Sequence, residues 1–236
     1  MIKRKIKKIL MAFSGNYKHL CEKKIPAKKK WFGNNYGGFY VIPSFINSNS
    51  IIYSFGIGED VSFDNALINE FQCNIYGFDP TPKSINWVEM EKKKIGPLFN
   101  FYEFGIGAHT GEVDFFLPKK IENVSGSFVN QINVNKKGKV TVLLKSFKDI
   151  VSELGHKKVD VVKMDIEGAE YLIIDSILDS GIEIDQLLIE FHDRFFTNGK
   201  ELTKNAIVKL RNYGYEIYGV SDSFEEISFV RKSKFL

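Results

Sequence analysis

Charged residues crowd together directly after one apolar segment of the sequence. Three acids, Asp165, Glu167 and Glu170, stand within the seven residues that follow Lys163. Burying a charge requires a partner, so we expect Lys163 to pair with one of these acids. Such a group favours a ligand site over a purely structural role. We assign Lys163 and Glu167 to substrate binding.

His192 stands beside a second acidic position, two residues after Glu190 and at the end of another apolar run. Histidine titrates near neutral pH and can accept a hydroxyl proton as a general base, with Glu190 or Asp165 orienting its ring. We therefore predict catalytic roles for His192, Asp165 and Glu190. A hydrogen-bonded structural histidine is one alternative. A divalent-metal site formed by the same three residues is another.

A glycine turn follows the first predicted strand of the body. Gly56 and Gly58 allow the backbone to approach a ligand closely. The third glycine of the dinucleotide fingerprint is replaced by Val61, and the acids Glu59 and Asp60 come directly after the turn. Carboxylates here repel a pyrophosphate but suit a positively charged ligand such as S-adenosylmethionine. Alternatively, the two acids complement the dipole of the following helix.

Two further segments supply candidate contacts to a nucleoside. Asp79 follows Gly56 by 23 residues, a position from which an acid can accept hydrogen bonds from ribose hydroxyls. Its neighbour Phe78 can pack near the nucleoside. Gly105 and Ile106 lie at the end of a later strand, where small residues let an adenine ring lie against the backbone. Ordinary turns remain the alternative at both places.

Short apolar runs alternate with helical patterns along most of the chain. Predicted strands cover residues 51–55, 74–78, 99–104, 159–164 and 186–191, with an edge element at 111–117 and 139–144 and a terminal hairpin at 214–219 and 225–230. Predicted helices cover residues 2–13, 61–71, 83–93, 146–154, 168–178 and 202–212. Residues 31–43 are expected to form a loop that leads into a short strand.

This alternation predicts an α/β fold with a parallel sheet, helices on both faces and one antiparallel edge. Ligands of open α/β sheets bind at the carboxyl ends of the strands. The glycine turn, Asp79 and the two acidic blocks all follow strands, so the fold is expected to bring them to one edge.

The net charge of +4 is distributed unevenly along the 236 residues. Residues 1–30 carry 11 Lys and Arg against one acid, a charge of +10, which leaves −6 for the rest. We divide the chain into a basic helical arm, residues 1–30, and a body, residues 31–236. The arm suits an anionic membrane surface, nucleic acid or a polyphosphorylated partner, or is simply a solvated helix. The acidic body disfavours nucleic acid as the substrate of the site, and no nucleic-acid partner is predicted. With two cysteines and no long apolar stretch, a cytoplasmic protein is expected.

Four segments in this order resemble the FkbM-type family of S-adenosylmethionine-dependent methyltransferases. They are residues 53–60 (YSFGIGED), 78–82 (FDPTP), 163–170 (KMDIEGAE) and 189–192 (IEFH). The resemblance extends over about residues 31–231, and the acidic DIEGAE block is its most specific part. It implies a Rossmann-like, seven-stranded class I methyltransferase sheet of order 3-2-1-4-5-7-6. It also implies O-methylation, often of sugars or other natural-product hydroxyls.

Site residues follow from the resemblance position by position. Gly56 and Gly58 line the methionine part of the cofactor, Asp79 takes the ribose, and Asp165 lies by the methyl group. Because Ser54 stands where an acid is common, Glu59 or Asp165 would hold the amino group. The residues assigned to S-adenosylmethionine are Phe55, Gly56, Gly58, Glu59, Phe78, Asp79, Gly105, Ile106 and Asp165. A divalent metal is left open and is not predicted.

The sequence indicates the acceptor less directly than the cofactor, and we expect a sugar or glycan precursor. Aromatic faces suit sugar rings and hydroxyls suit polar acceptors, so we assign Tyr36, Ser125 and Ser127 to acceptor binding. Two other functions compete with methyl transfer. One is a Rossmann-type NAD or nucleotide-sugar enzyme. The other is a binding module that acts through the basic arm.

Overall fold

A seven-stranded sheet forms the centre of the protein in the computed structural model, which describes residues 18–118 and 134–235. The strands in chain order are β1 (Lys30–Phe32), β2 (Phe39–Val41), β3 (Ile51–Phe55), β4 (Asn74–Phe78), β5 (Phe99–Tyr102), β6 (Gly105–Gly107), β7 (Gly111–Pro118), β8 (Val134–Ser146), β9 (Lys158–Met164), β10 (Glu183–Glu190), β11 (Tyr215–Val220) and β12 (Glu226–Arg231).

The order of the central sheet is β5-β4-β3-β9-β10-β12-β11. The first five of these strands run parallel, and β12 pairs antiparallel with both β10 and β11. Numbered within this sheet alone, the order is 3-2-1-4-5-7-6, which confirms the predicted class I topology. Strands β9 and β10 are buried along nearly their whole length, as expected for parallel strands covered on both faces.

Within the described residues, five α-helices connect and cover the strands: α1 (Ser62–Phe71), α2 (Pro82–Ile95), α3 (Phe147–Glu153), α4 (Glu170–Asp179) and α5 (Gly199–Asn212). Side chains of α3, α4 and α5 pack on one face of the sheet with Tyr53 and Val162. Helix α1 and the β1–β2 hairpin pack on the other face with Ile52 and Val161. The alternation of side chains along β3 and β9 thus divides the core into two layers.

The predicted edge element is a separate three-stranded sheet of order β6-β8-β7. Strand β6 pairs parallel with β8, and β7 pairs antiparallel with it. The predicted third strand, residues 99–104, ends at Tyr102 as β5, and the residues after it form β6 of the small sheet. Ser125 and Ser127, two predicted acceptor residues, lie outside the described residues.

The amino-terminal part of the chain differs from the predicted division. The predicted helix at residues 2–13 lies outside the described residues. From residue 18 onward the chain packs on the body: Leu20 is buried, the Lys23 N–H donates to the Ile217 carbonyl at 2.7 Å, and Glu22 accepts from the Val220 N–H. Contact with the body therefore begins before residue 31. In the described ranges, no helix combines the length and the apolar character that a membrane span requires.

Candidate active site

A buried carboxylate holds together the two loops that follow β9 and β10. Glu170 opens α4 and is fully buried. Its Oε1 accepts hydrogen bonds from the N–H groups of Ile166 and Gly168, both at 3.2 Å, and from His192 Nδ1 at 2.8 Å. Within this loop Glu167 has a φ of 55°, a left-handed conformation that is strained for a residue with a side chain. Glu170 thereby fixes both the acidic loop and the histidine ring.

The other nitrogen of His192 faces three carboxylates. Nε2 lies 3.4 Å from Glu167 Oε2, 3.5 Å from Glu190 Oε1 and 3.6 Å from Asp165 Oδ1. The imidazole is 1% exposed, whereas the Asp165 side chain is 28% exposed. The three residues predicted to be catalytic are therefore adjacent, and Asp165 opens the cluster to solvent.

Charge shifts the pKa values of this cluster strongly. Burial lowers the pKa of His192, but the carboxylates of Glu170, Asp165 and Glu167 outweigh it and raise the pKa to about 10. Burial and the Asp165 carboxylate raise the pKa of Glu190 to about 8. An imidazolium cannot accept a hydroxyl proton. The base role predicted for His192 thus fits the position of its ring but not this charge state.

The glycine turn lies directly against the acidic loop. Gly56 has a φ of 79°, and a Cβ built on it would lie 1.7 Å from the Asp165 carbonyl oxygen. The Asp165 N–H donates to the Phe55 carbonyl at 3.0 Å. The buried amine of Lys163 donates to the Gly56 carbonyl at 2.7 Å and lies 3.9 Å from Asp165 Oδ2. Lys163 thus joins the two loops, and its amine is turned to the backbone.

Asp79 supports the same turn from the neighbouring strand. Its Oδ2 accepts from the N–H groups of Ile57 and Gly58 at 3.0 and 2.9 Å. Its Oδ1 accepts from the N–H and hydroxyl of Thr81 at 2.9 and 2.6 Å. Protein donors therefore engage all four acceptor positions of the carboxylate. The structure gives Asp79 a role in holding the glycine turn, and its contact with ribose stays a prediction.

The predicted aromatic contacts to the cofactor have their side chains in the core. Phe55 and Phe78 are at most 1% exposed and stack on each other at 4.7 Å between ring centroids. Gly105 and Ile106 are also buried, and a Cβ on Gly105 would meet the Leu144 side chain at 2.8 Å. Packing explains these residue types, so a ligand would meet these segments through the main chain.

The acids after the glycine turn have protein partners. Glu59 pairs with Lys83 at 3.0 Å. Asp60 accepts from the Ser62 N–H at 2.8 Å and from Asn34 Nδ2 at 2.7 Å, so it ties the first residue of α1 to the loop that carries Asn34. Asn34 also accepts from the Tyr36 N–H, and this contact ties the loop that carries Tyr36 to the turn. Tyr36 is 91% exposed, so packing in the core does not account for an aromatic side chain at this position.

Two buried acids near the site were not predicted. Glu226 lies directly opposite Glu190 in the β10–β12 register and accepts from the hydroxyls of Ser221 and Ser223. Asp64 of α1 is 1% exposed, and its pKa is raised to about 6 by burial although Lys163 lowers it. An acid on the apolar face of α1 is a signal that sequence inspection can find. The antiparallel register that places Glu226 is not.

Comparison with known families gives one match over most of the chain. The Methyltransferase FkbM domain matches residues 51–217. The probable methyltransferase-like protein 24 of Homo sapiens is 25% identical over 170 residues, which is 71% of this chain and 39% of that protein. The corresponding protein of Rattus norvegicus is 22% identical over the same shares. The chain thus spans about two fifths of the length of these curated relatives.

Similar solved structures include an rRNA methylase and a fibrillarin. An rRNA methylase from Streptococcus thermophilus aligns with 80% of this chain and 90% of its own, at 9% identity and a TM-score of 0.46. A fibrillarin from Aeropyrum pernix, solved with natively bound S-adenosyl-L-methionine, aligns with 89% of this chain and 85% of its own, at 13% identity and a TM-score of 0.45.

Proposed function

The chain belongs to the FkbM methyltransferase family, and from this premise we propose that it transfers the methyl group of S-adenosylmethionine to a hydroxyl of a small polar acceptor. A sugar or glycan precursor is the acceptor class we favour. One observation carries the proposal: the glycine turn at Gly56 packs on Asp165, so a cofactor at the turn would adjoin the cluster of Asp165, Glu190 and His192.

The reaction requires little covalent chemistry from the protein. The acceptor oxygen forms a bond to the methyl carbon, and the carbon–sulfur bond breaks with its electron pair passing to sulfur. The hydroxyl proton passes to a carboxylate of the cluster. Alignment of the two reactants can supply about 7–11 kcal/mol of the barrier reduction. Carboxylates near the sulfonium also favour binding of the positively charged cofactor over its neutral product.

The cofactor would lie along the carboxyl ends of the strands, from the loop after β9 to β6. Its methionine part would lie on the main chain of Gly56 and Gly58, and its adenine near Gly105 and Ile106. For its ribose to reach Asp79, the hydroxyls must replace some of the backbone donors that now occupy this carboxylate. Tyr36, exposed on a loop tied to the turn, is our candidate for acceptor contact.

A transfer assay tests the proposal. The full chain is incubated with methyl-labelled S-adenosylmethionine and a panel of sugars, nucleotide sugars, phenols and amines, and the product is identified by mass spectrometry. We expect an O-methyl ether from a hydroxyl acceptor. Asp165→Asn, which removes a carboxylate that can accept the proton, should lower turnover about 10²–10⁴-fold, and Asp175→Asn, which removes an exposed carboxylate of α4, should not. Transfer to amines alone, or equal turnover of both variants, contradicts the proposal.

The basic arm adds a proposal about location. Eleven Lys and Arg with a single acid within residues 1–30 suit an anionic lipid surface, where each basic residue near the surface contributes about 1 kcal/mol. We propose that the arm holds the enzyme at such a surface, next to acceptors that are themselves membrane-associated.

A further inference from the structure

The cluster around His192 has the spacing of a metal-binding site. Asp165, Glu190 and His192 each offer one ligand atom, and these atoms all lie within 4.8 Å of one another. From His192 Nε2, the carboxylate oxygens of Glu190 and Asp165 lie 3.5 and 3.6 Å away. Ligands about 2.1 Å from one octahedral ion are separated by about 3 Å along each edge. The three atoms therefore need to move little to share an ion.

His192 is positioned as a ligand and not as an ordinary hydrogen-bonded side chain. Its ring is 1% exposed, and Nδ1 donates to the fully buried Glu170 carboxylate. This bond leaves Nε2 directed at carboxylate oxygens at 3.4 Å and beyond, longer than a normal hydrogen bond. A carboxylate behind the distal nitrogen is the usual support of a metal-ligating histidine.

Acidic side chains outnumber the basic side chains around the cluster. Asp165, Glu167 and Glu190 surround the imidazole, and Glu226 lies opposite Glu190. The neighbouring cations are shared between this cluster and other groups, and the Lys163 amine lies 3.9 Å from Asp165 Oδ2. Lys163 donates to a backbone carbonyl. The guanidinium of Arg194 lies 2.6 Å from Glu225 and 3.8 Å from Glu190. A cation among these carboxylates would relieve their mutual repulsion.

We propose that Asp165, Glu190 and His192 bind one divalent cation of the Mg²⁺ and Mn²⁺ class, with Glu170 as the positioning residue. Two carboxylate oxygens and one imidazole suit a hard or borderline ion. Asp165 is partly exposed, so solvent or a ligand can fill the remaining coordination positions. If the proposed methyl transfer holds, these positions would take acceptor oxygens. The preferred acceptors would then carry two adjacent oxygens, as a sugar diol does.

Electron paramagnetic resonance with Mn²⁺ tests the site without any activity measurement. The full chain is freed of metal with a chelator and titrated with MnCl₂, and the loss of the free Mn²⁺ signal reports binding. We expect one ion per chain with micromolar affinity, displaced by excess Mg²⁺. Electron spin echo modulation should show a ¹⁴N coupling from the imidazole. A free Mn²⁺ signal that persists with millimolar protein overturns the proposal and leaves an ion-pair network.

Matched variants assign the ligands. Asp165→Asn and His192→Gln should weaken Mn²⁺ binding at least tenfold, and His192→Gln should abolish the ¹⁴N coupling. Glu170→Gln should weaken binding about 10–100-fold while that coupling persists. Asp175→Asn and His109→Gln, which alter exposed positions, should bind Mn²⁺ as the unaltered chain does. Circular dichroism checks folding, and partly exposed Asp165 keeps the test decisive if His192→Gln does not fold. Equal affinity of all folded variants contradicts the assignment.

Calorimetry with S-adenosylhomocysteine on the same samples separates the two proposals. Cofactor binding without Mn²⁺ binding overturns the metal site alone. Mn²⁺ binding at these ligands without cofactor binding supports the metal site and contradicts the proposed methyl transfer.

Discussion

Gly56 leaves no room for a side chain. A Cβ there would lie 1.7 Å from the Asp165 carbonyl oxygen, so the two loops must separate to accept it. Its φ of 79° adds a conformational penalty of about 1–2 kcal/mol for any other residue. The spacing of Gly56 and Gly58 predicted a ligand turn. Only the structure shows that this glycine also permits contact between two loops.

Replacing Gly56 separates these two effects. Gly155 has a similar φ of 69° with open space around it, so Gly155→Ala should lower the free energy of unfolding by about 1–2 kcal/mol. Gly56→Ala should lower it by clearly more and weaken S-adenosylmethionine binding at least tenfold. Urea unfolding and calorimetry measure the two quantities. Equal losses of stability would show that the close contact is unimportant.

Asp64 carries a prediction about pH and stability. Its pKa rises from 3.8 to about 6 on folding, chiefly through burial, so the folded chain holds a proton that the unfolded chain releases between about pH 4 and 6. The stability due to this proton is present below pH 4 and is lost as the pH rises through 6. Two pKa units correspond to about 3 kcal/mol.

Asp64→Asn should therefore gain stability relative to the unaltered chain as the pH rises. We expect the difference in unfolding free energy to grow by about 2–3 kcal/mol between pH 4 and pH 8. Asp175→Asn, which removes an exposed acid of α4, is the matched control. Denaturant titrations at several pH values measure both variants. A difference in unfolding free energy that stays constant with pH would contradict the raised pKa of Asp64.

At the scale of elements, Glu170 connects the first turn of α4 to the loops after β9 and β10. A hydrogen bond to a charged group contributes about 1.5–3 kcal/mol. Glu170→Gln should therefore speed amide hydrogen exchange in residues 165–169 and 191–195 at least tenfold, with strand β9 unchanged. Glu153→Gln, which breaks an exposed ion pair with Lys145, is the control. Unaltered exchange in both loops would show that Glu170 does not hold them.

Most helices and strands were predictable because each depends on a pattern of apolar residues within its own segment. Apolar runs marked the parallel strands, and the rule that ligands meet the carboxyl ends of strands brought Asp165, Glu190 and His192 together correctly. Contacts that depend on register or loop closure were not predictable. Glu226 reaches Glu190 only through antiparallel pairing, and Asp79 binds the glycine turn through backbone donors that a sequence does not reveal.

At the scale of the whole molecule, the charge is divided between a basic arm and an acidic body. Removing residues 1–17 retains Leu20 and Lys23, which pack on the body, so the shortened chain should stay folded. It should lose binding to vesicles of phosphatidylcholine and phosphatidylglycerol and keep cofactor affinity. As a control that keeps the chain length, the five basic residues among residues 3–8 are replaced with Gln, and this variant should also bind the vesicles more weakly. If the shortened chain sediments with vesicles as the full chain does, the arm is not a membrane contact.

We expect the edge formed by the glycine turn and the acidic loop to bind S-adenosylmethionine. Isothermal titration calorimetry of the full chain with S-adenosylmethionine, S-adenosylhomocysteine and NAD⁺ tests it most directly. We expect one site per chain with micromolar affinity for both S-adenosyl ligands and no heat from NAD⁺. Binding of NAD⁺, or of none of the three, would contradict it.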